Sequence, residues 1–352
     1  MDTSSITERN PAAQSTPAAR TDVAVRVGIA GASGFAGQEL LRWLAGHPHA
    51  RVTCAMSSSP DGPARTLPAL TRIWDGVIEP FSADKLADQS DVVFLALPEE
   101  AAATIAPVLV ERGVRVIDLS GAFRLREAAA REKWYPATKL GVLKPVYGLT
   151  ERNRDALAGA HLITNPGCYP TAALLALEPL AAAGLLAGEI VIDAKSGVSG
   201  AGKKPSDRTH FSENHGSVSA YGVFGHRHQP EIEQELGSTV TFVPHLVPLD
   251  RGILETIYAR VRPGTTARDV SEVMEAAYKD APFVRLTGDA LPEIKHAAYT
   301  NFCDIGWRVD AAGTRILLVS VIDNLVKGAA GQAIQNLNVM LGYDERKGLL
   351  PA

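Results

Sequence analysis

Two stretches carry residue types suited to chemistry at a carbonyl. In ITNPGCYPTAALLAL, residues 163–177, Pro166-Gly167 predicts a turn and Pro170 suits the first turn of a helix. Cys168 therefore falls at a helix N-terminus, where unpaired N–H groups and the helix dipole favour the thiolate, the nucleophilic form. A free cysteine is also a small apolar residue that packs well, so core packing and nucleophilic attack both stand as readings of Cys168. Cys54, inside an apolar run, and Cys303, after a strand-like TNF, fit packing. The other stretch is YGVFGHRHQPEIEQEL, in which His226 and His228 flank Arg227 ahead of a Glu-rich helix. Two histidines at i and i+2 cannot share a helical face, so the segment offers one of them to a site. A neutral imidazole near a thiol takes and returns a proton.

A third constellation is GIAGASGFAGQELL, with Gly31, Gly34 and Gly37 directly after an apolar strand and directly before a helix. Glycines there let the backbone approach a pyrophosphate, and the helix start supplies N–H donors. The G-x-x-G-x-x-G spacing departs from the common fingerprint, so the order strand, turn, helix carries the assignment, with Ser33, Phe35 and Ala36 completing the turn. The second strand ends CAMSSSP. Ser57 and Ser58 offer hydroxyls and no carboxylate to repel a 2′-phosphate, which predicts NADP over NAD, with Arg65 as a helper; the bland alternative is that these serines only form a turn.

These groups need a scaffold. From Val23 onward, short apolar runs alternate with helical patterns: VAVRVGIAG, ARVTCAMSSS, DVVFLALP and GVRVIDLSG read as strands and QELLRWLAGHP as a helix, a doubly wound parallel layout. After Cys168, TAALLALEPLAAAGLL reads as a helix, and GEIVIDAKSG, STVTFVPHLVPL, ILETIYARV and TRILLVSVID as strands around a helical DVSEVMEAAYKD. NLVKGAAGQAIQNLNVMLG is apolar at helical spacing and long enough to pack back across a domain boundary. The expected architecture is α/β: a flexible tail over 1–22, a Rossmann-type NADP-binding domain over 23–167, an α+β catalytic and dimerisation domain over 168–323, and a C-terminal helix over 324–352 returning to the first domain.

Composition limits the partners. The 352 residues are 46% hydrophobic and 21% charged with a net charge of -4, so no polybasic surface invites nucleic acid or an anionic membrane. Three cysteines without regular spacing form no disulfide framework and point to a reducing compartment, the cytoplasm. No apolar run reaches the roughly 18–20 residues that span a bilayer. Two readings from other classes compete. GVSGAGKK, residues 197–204, nearly fits a P-loop but places Lys204 where a hydroxyl would hold magnesium. His210, His215, His226 and His228 put four of nine histidines in one short stretch, the basis for a metal-dependent hydrolase, although their spacing matches no standard ligand pair.

Together, GASGFAGQELLR, FLALP, DLSGAFRL, NPGCYPTA, SGVSGAGKK, FGHRHQPEIEQ, FVPHLVPLDRGIL and IDNLVKGAAGQAIQN resemble the N-acetyl-gamma-glutamyl-phosphate reductases, NADPH-dependent enzymes of arginine biosynthesis related to aspartate-semialdehyde dehydrogenase. The resemblance runs from Val25 to Tyr343, and its PGCYPT and HRHQPEI blocks are specific. It departs at Glu99, where the family commonly has histidine after Leu-Pro, and at Thr150, where proline is usual. It implies a covalent thioester on Cys168, with His226 first and His228 second as acid/base and His245 a distant third. It places Leu97 and Pro98 in the cofactor loop, and Ser196, Gly197 and Asn324 near the nicotinamide. An acyl-phosphate substrate needs cationic partners, for which Arg124, Arg227 and Arg251 are the candidates, with Lys203 and Lys204 on a glycine-flanked loop. Aspartyl phosphate and a carrier-linked aminoadipyl phosphate are the rival substrates. A homodimer or homotetramer, paired through the strand-rich second half, is expected.

Overall fold

Six parallel strands come first: β1 Val25–Ala30, β2 Ala50–Met56, β3 Val92–Leu95, β4 Arg115–Asp118, β5 Val146–Tyr147 and β6 Leu162–Thr164. The coordinates are a computed structural model that describes residues 24–350, so the tail expected over 1–22 lies outside the described residues. The strand order is β2-β1-β3-β4-β6-β5, all pairs parallel. A parallel sheet is covered on both faces, which is why β3 reads as an unbroken VVFL run with every residue buried. Alternation divides the strands between two cores: Val27, Ile29 and Phe94 pack with Leu40 and Leu41 of the Phe35–Leu44 helix, while Ala30, Val93 and Leu95 pack with Ala102, Ala106 and Leu109 of the Glu99–Glu111 helix.

The second sheet is mixed, ordered β11-β12-β13-β10-β7-β9-β8, from β7 Leu186–Gly197, β8 Ser219–Ala220, β9 Thr241–Val247, β10 Ile253–Val261, β11 Val284–Gly288, β12 Cys303–Val309 and β13 Arg315–Ile322. Its inner face, including Ile190, Ile192, Ile253, Ile257 and Leu318, packs on the Cys168–Ala182 helix. That helix is apolar almost all round, as befits one enclosed on several sides. Cys54 and Cys303 are buried among these cores, where packing places them. The short strands β5, β6 and β8 were not legible, because two or three residues carry no periodicity. β12 was hidden by Asp304, a buried carboxylate held by Arg285 at 2.6 Å.

The C-terminal segment is not one helix. Val326–Ala330 forms a π-helical turn and only Gly331–Leu341 is α-helical; Ala333, Ile334 and Leu337 of this helix join Val27 and Ile29 in the first-sheet core. The helix thus returns to the first sheet. The π turn carries Lys327, fully buried, whose Nζ donates to Glu151 Oε1 at 2.6 Å and Gln335 Oε1 at 2.7 Å. Burial alone would raise the Glu151 carboxyl, yet Lys327 and Gln335 hold it below its ordinary value. Removing one member of such a pair strands the other in the core. Lys327→Met is expected to lower the free energy of unfolding by ~3–5 kcal/mol in urea titrations; a loss under about 1 kcal/mol contradicts this account.

Candidate active site

The glycine turn after β1 and the Cys168 stretch after β6 both lie at the carboxyl edge of the first sheet, where open parallel sheets bind ligands. The turn after β1 opens there with Gly31 in a left-handed conformation, φ 81°, and a Cβ on it would sit 2.1 Å from the Ala96 carbonyl oxygen after β3. Only glycine fits. Gly34 precedes the Phe35–Leu44 helix, which has no side-chain cap, so its first N–H groups face a cleft of about 680 Å³ lined by Gly31, Ser33, Gly34, Phe35, Ala36 and Gly37. Nothing but the Gly31 carbonyl lies within 4 Å of a Cβ built on Gly34, so any side chain there would occupy the cradle. A nicotinamide dinucleotide fits this donor set, with its pyrophosphate against the glycine turn. Ser58, Arg65, Lys203 and Lys204 line the same cleft, and no carboxylate does.

Cys168 begins its helix directly after β6, half-buried, in the wall of this cleft together with Arg124, Gly167, His228 and Asn324. The turn before it is tied down by Glu231, which the sequence reading did not single out. Glu231 Oε1 accepts from the Gly167 N–H at 2.8 Å and from the Tyr147 hydroxyl at 2.8 Å, while Oε2 faces Arg124 Nη1 at 3.3 Å. Its only signal was a carboxylate three residues after His228, on the neighbouring position of one helical face. A Cβ on Gly167 would lie 2.5 Å from His228 Nε2 and 2.9 Å from Arg124 Nη1, so the glycine lets imidazole and guanidinium close on the chain beside Cys168. The π turn closes the other side, where a Cβ on Gly328 would approach Cys168 Cβ to 2.7 Å.

The two histidines are split. His228 opens the His228–Leu236 helix and lines the cleft; His226 does not, and its Nδ1 instead accepts from the His228 backbone N–H at 3.1 Å while its ring packs against Tyr169, Tyr221 and Phe242. Of the two expected acid/base candidates, His228 is the one that reaches the cleft, although the resemblance places His226 first. Arg124 Nη1 lies 3.4 Å from His228 Nε2, and since a guanidinium only donates, that nitrogen is the unprotonated one. Burial, aided by His226, Arg124 and Arg227, pushes His228 well below the ordinary imidazole range, and burial pushes His226 down to about 4. Both rings are neutral at physiological pH.

The helix-start argument for a resting thiolate does not hold in the free protein. Burial pushes the Cys168 thiol up to about 11, although the Arg124 charge and the Tyr169 N–H act in the opposite direction. Desolvation exceeds the help from the helix terminus and favours the thiol form. The arginines are also more committed than expected. Arg124 spends Nε on the Asn165 carbonyl, Nη2 on the Leu119 carbonyl and Nη1 on Glu231, which makes it a fixed positive charge rather than a free bidentate clamp. Arg251 pairs with Glu39 at 3.0 Å and Asp323 at 3.3 Å, stacks 4.3 Å from the Tyr299 ring and does not line the cleft. Arg227 pairs with Glu99, the residue that departs from the family pattern.

Of the remaining expected cofactor residues, Pro98 lines the cleft; Leu97 is buried beneath the glycine turn, Ser57 turns its hydroxyl to the Ser59 carbonyl, and Ser196 donates to the Gly197 carbonyl just behind the lining residue Gly200. Asn324 precedes the π turn, accepting from the Gly252 N–H at 2.7 Å and donating to Ser199 Oγ at 3.0 Å. Gly197 packs against the Arg251 backbone. His245 sits on β9, 3.2 Å from Asp193, outside the cleft. His210 and His215 are exposed, and among the described residues no three His, Cys, Asp or Glu side chains gather to hold a metal ion. No described helix is long and apolar enough to cross a membrane.

Known proteins resemble this chain over most of its length. Residues 26–160 match the family model of the semialdehyde dehydrogenase NAD binding domain, and residues 168–324 that of the semialdehyde dehydrogenase dimerisation domain. The chain is 48% identical to an N-acetyl-gamma-glutamyl-phosphate reductase of Brevibacillus brevis over 89% of its own length and 94% of the relative's, and 45% identical to one of a Geobacillus species over 90% and 95%. Its fold resembles crystalline aspartate semialdehyde dehydrogenase II of Vibrio cholerae, with a TM-score of 0.69 at 20% identity, covering 90% of this chain and 98% of that one.

A buried thiol with a raised pKa makes a testable pattern. The rate at which iodoacetamide alkylates Cys168 in the free protein should climb about tenfold per pH unit from about pH 7 to about pH 10, because the thiolate fraction grows all the way to a pKa of about 11. Quantifying the modified peptide by mass spectrometry checks this; a plateau below about pH 9 contradicts it.

Proposed function

The chain belongs to the N-acetyl-gamma-glutamyl-phosphate reductase family of NAD(P)-dependent oxidoreductases, and we propose that its cleft reduces N-acetyl-L-glutamyl 5-phosphate to N-acetyl-L-glutamate 5-semialdehyde and phosphate, with NADPH as reductant, in arginine biosynthesis. The observation that carries this reading is one cleft holding a cysteine at a helix start, a neutral imidazole beside it, a fixed guanidinium and a glycine turn built for a dinucleotide. His228 takes the Cys168 proton as sulfur attacks the acyl carbon; the carbon–sulfur bond forms, the carbon–oxygen bond to phosphate breaks, and phosphate leaves. Arg124 is placed to offset the charge that gathers on the carbonyl and phosphate oxygens. Hydride transfer to the resulting thioester is the chemistry the cofactor supplies when bound. Collapse of the reduced adduct returns the electron pair to sulfur and releases the semialdehyde, and His228 returns the proton to Cys168. His226 acts through His228, whose backbone it anchors.

The cofactor preference rests on the cationic end of the cleft. Ser58, Arg65, Lys203 and Lys204 offer hydroxyl and cationic donors with no opposing carboxylate, which suits a 2′-phosphate. Ser33, Gly34, Phe35, Ala36 and Pro98 complete its bed, and Asn324 lies toward the reacting end. Residues 23–167 serve as the cofactor domain, 168–323 as the catalytic and pairing domain, and the segment from 324 onward returns to the first domain through the Gly331–Leu341 helix. The outer face of the second sheet is the surface we assign to pairing of two or four copies: Val191, Tyr258 and Leu317 stand side by side on three strands, on the face away from the main core, with Leu317 beside the small cluster of Val319, Val321 and Ala297, and Tyr258 is 47% exposed. Three free cysteines suit a reducing cytoplasm.

The decisive experiment runs the reaction backwards with inorganic phosphate, NADP and the acetylglutamate, aspartate and aminoadipate semialdehydes. The acetylglutamate compound should turn over fastest, and a strong preference for aspartate semialdehyde would sink the substrate assignment. Cys168→Ser should cut kcat by about 10³-fold or more and His228→Asn by about 10²- to 10⁴-fold, with His226→Asn losing less. If His226→Asn loses more than His228→Asn, the roles given to the two rings are reversed. Arg65→Ala should raise KM for NADPH about tenfold while leaving that for NADH nearly unchanged, a split that steady-state kinetics with both cofactors would read.

A further inference from the structure

Glu99 and Arg227 pair with each other beside the cleft, each next in sequence to a residue that lines it. Glu99 opens the helix that follows Pro98, a lining residue on the side of the first sheet; Arg227 immediately precedes His228, a lining residue on the opposite side. Their side chains form an ion pair, with 33% of the Glu99 side chain and 50% of the Arg227 side chain exposed. The guanidinium also lies 5.8 Å from the Tyr135 ring. This differs from the other two arginines considered for substrate. Arg124 is enclosed by four protein partners and Arg251 is locked between Glu39 and Asp323 with 13% of its side chain exposed, so neither is free to turn toward a newcomer. Arg227 is half exposed, and its charge is among those acting on His228, so it stands within electrostatic reach of the reacting end.

We propose that Glu99 competes with the substrate for Arg227: it holds the guanidinium while the site is empty and yields it to the phosphate of the acyl phosphate, or to inorganic phosphate in the reverse direction. This rests on the acyl-phosphate reading of the site given above. The exchange is physically easy, because a half-exposed ion pair stabilises by at most about 1 kcal/mol, and a phosphate offers the fork of a guanidinium at least as good a partner as one carboxylate. Glu99 is well placed to lose its partner, since the first turn of a helix favours a carboxylate with or without a cation beside it. The consequence is a phosphate affinity lower than the cationic lining alone would give. Product phosphate then leaves more readily, and the apparent KM for phosphate in the reverse direction is set in part by Glu99.

The test uses the full-length protein and inorganic phosphate as probe, read in two ways: as protection of Cys168 against iodoacetamide and as KM in the reverse reaction. Glu99→Gln should tighten phosphate about threefold in both readouts, with a larger change in KM than in kcat. Arg227→Met alone should weaken phosphate, and adding Glu99→Gln to it should restore none of the loss, the signature of a coupled pair. Fluorescence of bound NADPH checks that each variant is folded. An unchanged phosphate constant in Glu99→Gln, or equal tightening with and without Arg227, overturns the exchange. If no semialdehyde turns over yet phosphate protection still responds to Glu99→Gln through Arg227, the assigned reaction fails and the ion-pair exchange stands.

Discussion

A buried carboxylate governs the geometry of the site. Glu231 is fully enclosed, and an enclosed charge persists only when its lone pairs are spoken for. The partners it recruits are the parts that chemistry needs in register: the N–H of the turn before Cys168, the hydroxyl of Tyr147 beside β6, and the guanidinium of Arg124. Because Glu231 sits one helical turn after His228, satisfying it also fixes where the imidazole points. Burial raises this carboxyl while Arg124, the Gly167 N–H and Tyr147 work against that, so its ionised form depends on all three remaining in place.

The same enclosure shapes the reactivity of Cys168. Helix termini lower thiol pKa values where the sulfur is also solvated; here burial outweighs both the Tyr169 N–H and the Arg124 charge. A thiol held protonated by its surroundings is protected from stray oxidants and alkylating agents. The two neutral rings are a product of the same dry surroundings, each meeting Tyr169 edge to face at ring separations of 5.8 Å.

The two sheets are locked together by the segment that follows β13. Asp323, fully buried, receives the backbone N–H groups of Tyr299, Leu325 and Val326 and pairs with Arg251, which reaches on to Glu39 of the first unit. Four residues later Lys327 buries its charge against Glu151, and the helix then packs into the first-sheet core. These contacts press the π turn against Cys168, so the part of the chain that joins the two units is also one wall of the site.

Much of this was legible in the order of residues. The strand-turn-helix around Gly31, the helix start at Cys168, the long amphipathic or apolar runs and the two packing cysteines follow from backbone sterics and from periodicities that a chain displays locally. Three things were not. Which histidine enters the cleft depends on Nδ1 of His226 anchoring a backbone N–H two residues on, a choice made by the packing of Tyr169 and Phe242. Whether an arginine is free depends on carboxylates far away in sequence, Glu231 for Arg124, Glu39 for Arg251 and Glu99 for Arg227. The protonation of Cys168 depends on how much water the folded chain leaves around it. Residue types and local spacing determined which chemical groups were available, because turns, caps and helix starts are short-range; only tertiary structure decided their partners and charges, because desolvation and ion pairing are set by neighbours that sequence distance conceals.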